Sequence, residues 1–205
     1  IQADLKTLTA LGAYGATAIT AITVQSTVGV SNIFPVPAAI VADQMSAVLD
    51  DIGADCIKLG MLGGADVVHS VAAVLENHKD IPLVIDPVMV ATSGDHLSDS
   101  AGIDALKASL IPRAILVTPN AAEASALTGL PVDTVASRTA AAQAIVEAGA
   151  RAVVITGGDI PGDTVTDFLV TGSDVEPMTS RRIDTTNTHG TGCTFAAAVA
   201  AGVAQ

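Results

Sequence analysis

Ala114-Ile-Leu-Val-Thr-Pro-Asn-Ala-Ala-Glu-Ala-Ser-Ala-Leu-Thr-Gly129 holds a strand and a helix back to back. The first five residues are apolar or β-branched, and Pro119 closes them off as a strand. Asn120 followed by Glu123 begins a helix, and Gly129 stops it. The same rhythm runs outward in both directions. Upstream, helices over 37–51 and 66–77 alternate with strands over 55–60 and 82–86. A helix over 101–110 directly precedes the quoted unit, and downstream a helix over 137–148 and a strand over 151–156 follow it. The short runs are rich in Val and Ile and the longer ones in Ala and Leu, the pattern of a sheet covered on both faces. A mostly parallel, doubly wound α/β sheet is therefore expected, with connections of one hand.

The ends of the chain fit less regularly. Residues 1–13 read as most of an amphipathic helix with no capping residue, as though the sequence began inside an element. The alternation of Thr and Ile over 16–24 predicts a strand followed by a loop at Gln25-Ser-Thr-Val-Gly29. Residues 163–170 and 175–183 predict a β-hairpin turning near Gly172. The final helix runs to the end of the sequence without a C-cap. With 205 residues, half of them hydrophobic, a single domain with one sizeable core is expected.

Charge narrows the classes of partner. The net charge of −12 argues against nucleic acid or an anionic membrane, since both need a basic face. No apolar run approaches the length of a membrane span, and no signal peptide is visible. Two cysteines far apart form no disulfide framework, and together these points predict a cytoplasmic protein. Any anion site must be built locally.

In open α/β sheets ligands bind beyond the carboxyl ends of the strands. There the sequence places Gln25-Ser-Thr, Gly60-Met61, Asp86-Pro-Val88-Met, Thr118-Pro-Asn-Ala-Ala-Glu123 and Thr156-Gly157-Gly158-Asp159. Asp86 and Glu123 suit a hydrated Mg²⁺, which needs only one or two carboxylates; helix capping is the competing role for Glu123. The turn Asn187-Thr-His-Gly-Thr-Gly-Cys-Thr194 opens the last helix. Small residues there let an anion approach free N–H groups at the positive end of the helix dipole. Cys193 falls in the first turn, where the dipole should lower its thiol pKa. A Walker P-loop, a full dinucleotide fingerprint, a nucleophile elbow and paired zinc ligands are all missing. Cys56, inside a predicted strand, reads as a small core residue, and His69 and His78 as solvated.

Taken in order, Ile1-Gln-Ala-Asp-Leu-Lys-Thr, Lys58-Leu-Gly-Met-Leu, Asp86-Pro-Val-Met, Thr118-Pro-Asn-x-x-Glu123 and Asn187-Thr-His-Gly-Thr-Gly-Cys resemble the hydroxymethylpyrimidine/phosphomethylpyrimidine kinases along the whole chain. The resemblance implies a three-layer αβα, ribokinase-like fold. It implies ATP- and Mg²⁺-dependent phosphorylation of 4-amino-5-hydroxymethyl-2-methylpyrimidine and then of its monophosphate, for thiamine synthesis. Cys193 then corresponds to the catalytic base, and Gly190, Thr191 and Gly192 with it to the anion hole. Asp4, Gln25, Met61 and Val88 correspond to pyrimidine contacts, Asp86 and Glu123 to the metal side, and Asn120, Thr156, Gly157 and Gly158 to the nucleotide side. A homodimer is implied as well. Against that pattern, the family's first strand, Gly-rich loop and C-terminal helices have no counterpart in these residues. Thr156 and Thr92 stand where the family shows lysine, which removes positive charge near phosphate. The alternatives are a pyridoxine/pyridoxal kinase and, from another class, a non-catalytic ligand-binding relative.

Overall fold

A computed structural model describes residues 1–89 and 97–205; Thr92 therefore lies outside the described residues. The quoted unit forms as expected. Leu116–Val117 is strand β5, and helix α5, Ala121–Thr128, starts on a reciprocal capping box between Asn120 and Glu123. Gly129 ends it in the left-handed conformation at φ 73°.

In chain order the elements are α1 (Gln2–Ala10), β1 (Ala21–Gln25), β2 (Val30–Pro35), α2 (Ala38–Asp51), β3 (Ile57–Leu59), α3 (Ala65–Leu75), β4 (Leu83–Ile85), α4 (Ser100–Ser109), β5 and α5 as above, α6 (Val135–Glu147), β6 (Val153–Ile155), β7 (Thr164–Thr171), β8 (Asp174–Arg181) and α7 (Thr191–Ala204). The main sheet has the order β3-β4-β5-β6-β7-β8. Its first four strands are parallel, and the β7–β8 hairpin adds two antiparallel strands at one edge, turning at Gly172.

Side-chain alternation shows that both faces are covered. Leu83 and Ile85 join the core cluster formed with residues of α2, α3, α4 and α6, whereas Val84, fully buried, points the other way. On that opposite side α7 packs against β3 and β4, with α1 alongside it. Ala196, Ala197, Ala200 and Ala201 are buried along α7. Small side chains bring its axis close to the sheet, and with it the turn at its start.

The strand expected over 16–24 is displaced. Only Ala21–Gln25 is extended, and it pairs with β2 alone in a separate two-stranded sheet. Gln25 therefore lies on an exposed hairpin rather than behind a strand of the main sheet. Cys56 lies just ahead of β3, half-buried, and burial pushes its thiol up to about 11. No helix among the described residues is long and apolar enough to cross a membrane.

Candidate active site

Gly190 is the residue on which α7 turns. Its φ of 80° is open to glycine and strained for other residues, and α7 begins at Thr191. The Thr191 N–H and hydroxyl are both spent on the Thr188 carbonyl, at 3.3 and 2.9 Å. Among the described residues the N–H groups of Gly190, Gly192 and Cys193 have no acceptor in the protein. A Cβ added at Gly192 would stand in open space. The turn thus offers free donors at the positive end of a fourteen-residue helix.

Cys193, in the same turn, belongs to a network of charged groups. Its thiol lies within electrostatic reach of Asp86, Asp4 and Lys58. Lys58 Nζ lies 3.3 Å from Asp86 Oδ2 and 3.0 Å from Asp4 Oδ1. The three charged side chains are only 12, 15 and 6 % exposed for Lys58, Asp4 and Asp86. Burial works against the Lys58 charge, but Asp86 and Asp4 outweigh it and hold the ammonium above its ordinary pKa. Asp86 is held above the usual carboxylate range, because its burial outweighs the attraction of Lys58. The thiol departs from expectation. Burial pushes Cys193 up, Lys58 pulls it down, and Asp86 and Asp4 push it up again, so the net shift is upward. Desolvation and two neighbouring acids defeat the expected lowering.

The other candidate residues surround this network unevenly. Glu123, 6 % exposed, accepts from the Asn120 N–H at 3.0 Å through Oε2, and Asn120 Oδ1 accepts from the Glu123 N–H at 2.9 Å. Its helix-capping role is real, and it is not passive: burial raises its carboxyl to about 7, with Asp86 adding to the rise. The Thr156 N–H is bonded to the Pro119 carbonyl at 3.1 Å, which ties the ends of β5 and β6 together. Gly157 is buried against β7: its N–H goes to Asp167 Oδ1 at 2.7 Å, and an added Cβ would fall 2.0 Å from the Thr166 carbonyl oxygen. Its N–H is therefore committed within the protein, while Gly158 is exposed and open. Val88 lines a small cavity with Gly60, Leu62, Pro87 and Ser98; Met61 is beside it in sequence but absent from the lining. The Met61 carbonyl instead accepts from the Thr20 hydroxyl at 2.7 Å.

A family model described as phosphomethylpyrimidine kinase matches residues 1–205. The chain belongs to the phosphomethylpyrimidine kinase family. It is 48 % identical to the thiamine biosynthesis bifunctional protein of Geobacter sulfurreducens over all of this chain and 42 % of that protein. It is 45 % identical to the hydroxymethylpyrimidine/phosphomethylpyrimidine kinase of Rhizobium meliloti, over all of this chain and 77 % of that protein. Among solved structures, the ADP complex of Bacillus subtilis pyridoxal kinase superposes with a TM-score of 0.89 at 37 % identity, covering 100 % of this chain and 77 % of that one. The chain spans less than half of the bifunctional relative and about three quarters of the Rhizobium kinase.

Within this ribokinase-like kinase fold, one residue at the centre of the site was not among the sequence candidates. Lys58 pairs with Val84 in the β3–β4 register, so its side chain rises on the face covered by α1 and α7. It joins Asp4 on one element to Asp86 on another. A lysine in a three-residue strand with both faces covered was the available signal, since such a charge requires partners.

Proposed function

We propose that this chain transfers the terminal phosphoryl group of ATP, with Mg²⁺, to the hydroxymethyl oxygen of 4-amino-5-hydroxymethyl-2-methylpyrimidine and then to the monophosphate so formed. The observation that carries this reading is the α7 turn. Free N–H groups at a helix start stand in the same turn as a half-buried thiol that interacts with the buried Asp86 carboxylate. Phosphoryl transfer asks mainly for alignment and for stabilisation of charge on the transferred group. Fixed amide donors at a helix end supply that without reorganising.

Cys193 is protonated in this arrangement, so it takes the alcohol proton only as its own proton passes to Asp86. The base is thus the thiol and carboxylate acting together. Asp86 and Glu123 would hold Mg²⁺, an ion that needs only one or two carboxylates and would offset charge on the phosphates; no cluster of three or more His, Cys, Asp or Glu suited to a metal occurs among the described residues. Asn120 and Gly158 stand on the nucleotide side, and Asp4, Gln25, Met61 and Val88 on the pyrimidine side. Exposed Ile22, Val24, Val28 and Phe34 on the β1–β2 hairpin support a homodimer that covers them. The reading places the enzyme in the cytoplasm, with no nucleic acid or membrane partner.

The likeness to a pyridoxal kinase structure supports a second reading, phosphorylation of pyridoxal. Mass spectrometry after incubation with ATP and, separately, the pyrimidine alcohol, its monophosphate or pyridoxal distinguishes them. Pyrimidine phosphates are expected. Product from pyridoxal alone establishes the second reading, and no product from any acceptor overturns the kinase assignment.

Glu123 gives this reading a pH signature. Because its pKa is raised to about 7, the carboxyl loses its charge as pH falls through neutrality. The Mg²⁺ concentration for half-maximal activity should therefore climb by roughly tenfold per unit below about pH 7. In Glu123→Gln that dependence should flatten, which a Mg²⁺ titration at several pH values would reveal. Thr156→Lys restores a cation at the end of β6. It should raise kcat/KM for the monophosphate about tenfold, the scale of one charge-assisted hydrogen bond, with little change for the alcohol. Equal change for both acceptors would remove charge at 156 from the explanation.

A further inference from the structure

The segment Gly157-Gly-Asp-Ile-Pro-Gly162 joins β6 to β7 and contains no lysine or arginine. One arginine outside it holds it in shape. Arg182, immediately after β8, donates from Nε to the Gly162 carbonyl at 2.7 Å, from Nη1 to the Gly158 carbonyl at 3.1 Å, and from Nη2 to the Ile160 carbonyl. Its backbone N–H goes to the Asp163 carbonyl at 2.9 Å. At the other end Asp167 accepts from the Gly157 N–H, so the β7–β8 hairpin grips the segment from both sides. Gly158, Asp159 and Gly162 are exposed, and a surface connection of this kind would ordinarily be left loose.

The grip sets the polarity of the segment. In a planar trans peptide the carbonyl and the next residue's N–H point in opposite directions. Turning the Gly158 carbonyl toward the guanidinium therefore turns the Asp159 N–H away from it. A planar fork with five donors can hold several carbonyls at once; a lysine ammonium has no such fixed spacing. Arg182 also stands at the root of residues 183–189, which lead straight into the free N–H groups at Gly190, Gly192 and Cys193.

We propose that Arg182 is a positioning residue for the nucleotide phosphates, acting through the backbone of 157–162. It holds the Gly158, Ile160 and Gly162 carbonyls inward, which turns the Asp159 and Asp163 N–H groups outward, and it fixes the strand end from which the anion-binding turn is reached. The proposal rests on the kinase reading above. It explains how this chain can handle a polyphosphate with Thr156 at the end of β6: backbone donors held in place do the work of a side-chain charge.

Calorimetric titration of the intact protein with Mg·ADP and, separately, with the pyrimidine alcohol tests it, using Arg182→Lys and Arg182→Ala. Both variants should weaken Mg·ADP by about tenfold or more, since lysine cannot satisfy three carbonyls. The dissociation constant of the alcohol should stay within about twofold and Tm within about 2 °C, with faster amide exchange confined to 157–163. Unchanged Mg·ADP affinity in both variants overturns the role of Arg182 alone. So does a parallel loss of both ligands with a large fall in Tm, which marks a purely structural arginine. A wild-type protein that binds neither Mg·ADP nor the alcohol overturns the kinase reading, and this inference with it.

Discussion

Cys193→Ala should lower turnover roughly 10²–10⁴-fold, the scale of a lost acid–base group, while nucleotide affinity stays within about twofold. The separation follows from geometry. The free N–H groups of Gly190, Gly192 and Cys193 are backbone donors and survive the substitution, so the anion side of the turn is kept. What disappears is the thiol beside Asp86 that the proposed mechanism sets against the acceptor oxygen. The pH dependence provides a second readout. Burial holds the thiol above its ordinary range, so the wild-type rate should keep rising into the alkaline region as the proton is lost. That limb should vanish in the variant. Steady-state kinetics across pH on the two proteins checks both points, and a variant with unchanged turnover removes Cys193 from the chemistry.

Lys58→Met should damage stability and activity together. It leaves Asp4 and Asp86 facing each other across a mostly buried space without their shared cation. Removing one partner of a buried pair costs on the order of 3 kcal/mol, or about 6–12 °C in Tm for a chain of this size. The sign with pH is definite. Stripped of the ammonium, the Asp86 carboxyl, which burial already raises, is raised further above its unfolded value, so the destabilisation is full at neutral pH. It shrinks as pH falls and that carboxyl takes up a proton. Melting curves at about pH 5 and pH 8 should show the smaller deficit at the lower pH. Lys58 also lowers the Cys193 pKa, so alkylation of that thiol by iodoacetamide should slow in the variant at fixed pH. A deficit that is independent of pH would mean that methionine merely packs badly.

Much of this architecture can be read without coordinates, for identifiable reasons. The unit from Ala114 to Gly129 carries its own punctuation: a proline to end the strand, Asn120 with Glu123 to begin the helix, a glycine to stop it. The β7–β8 hairpin is legible from its alternation around Gly172. The β1–β2 hairpin is not. Val30-Ser-Asn-Ile-Phe-Pro35 ends in a proline and looks like a loop, and β1 makes no pairing with the main sheet that its sequence could reveal. The candidate site divides along the same line. The Gly190–Cys193 turn shows itself through residue size and spacing, which are local. The state of its thiol does not, because burial beneath α7 and the approach of Asp86 depend on elements far apart in the chain. Lys58 gave a local sign, a charge within an apolar strand, but its two partners come from α1 and from the end of β4. Arg182 is harder still. It follows Arg181, and only the fold tells which of the two reaches the glycine segment.

A crystal structure with the pyrimidine alcohol bound tests the central claim most directly. The hydroxymethyl oxygen should lie within about 3.5 Å of Cys193 Sγ, on the side of the free N–H groups at the start of α7. A ring bound with that oxygen turned away from Cys193, or seated away from the Lys58, Asp4 and Asp86 network, would contradict the account.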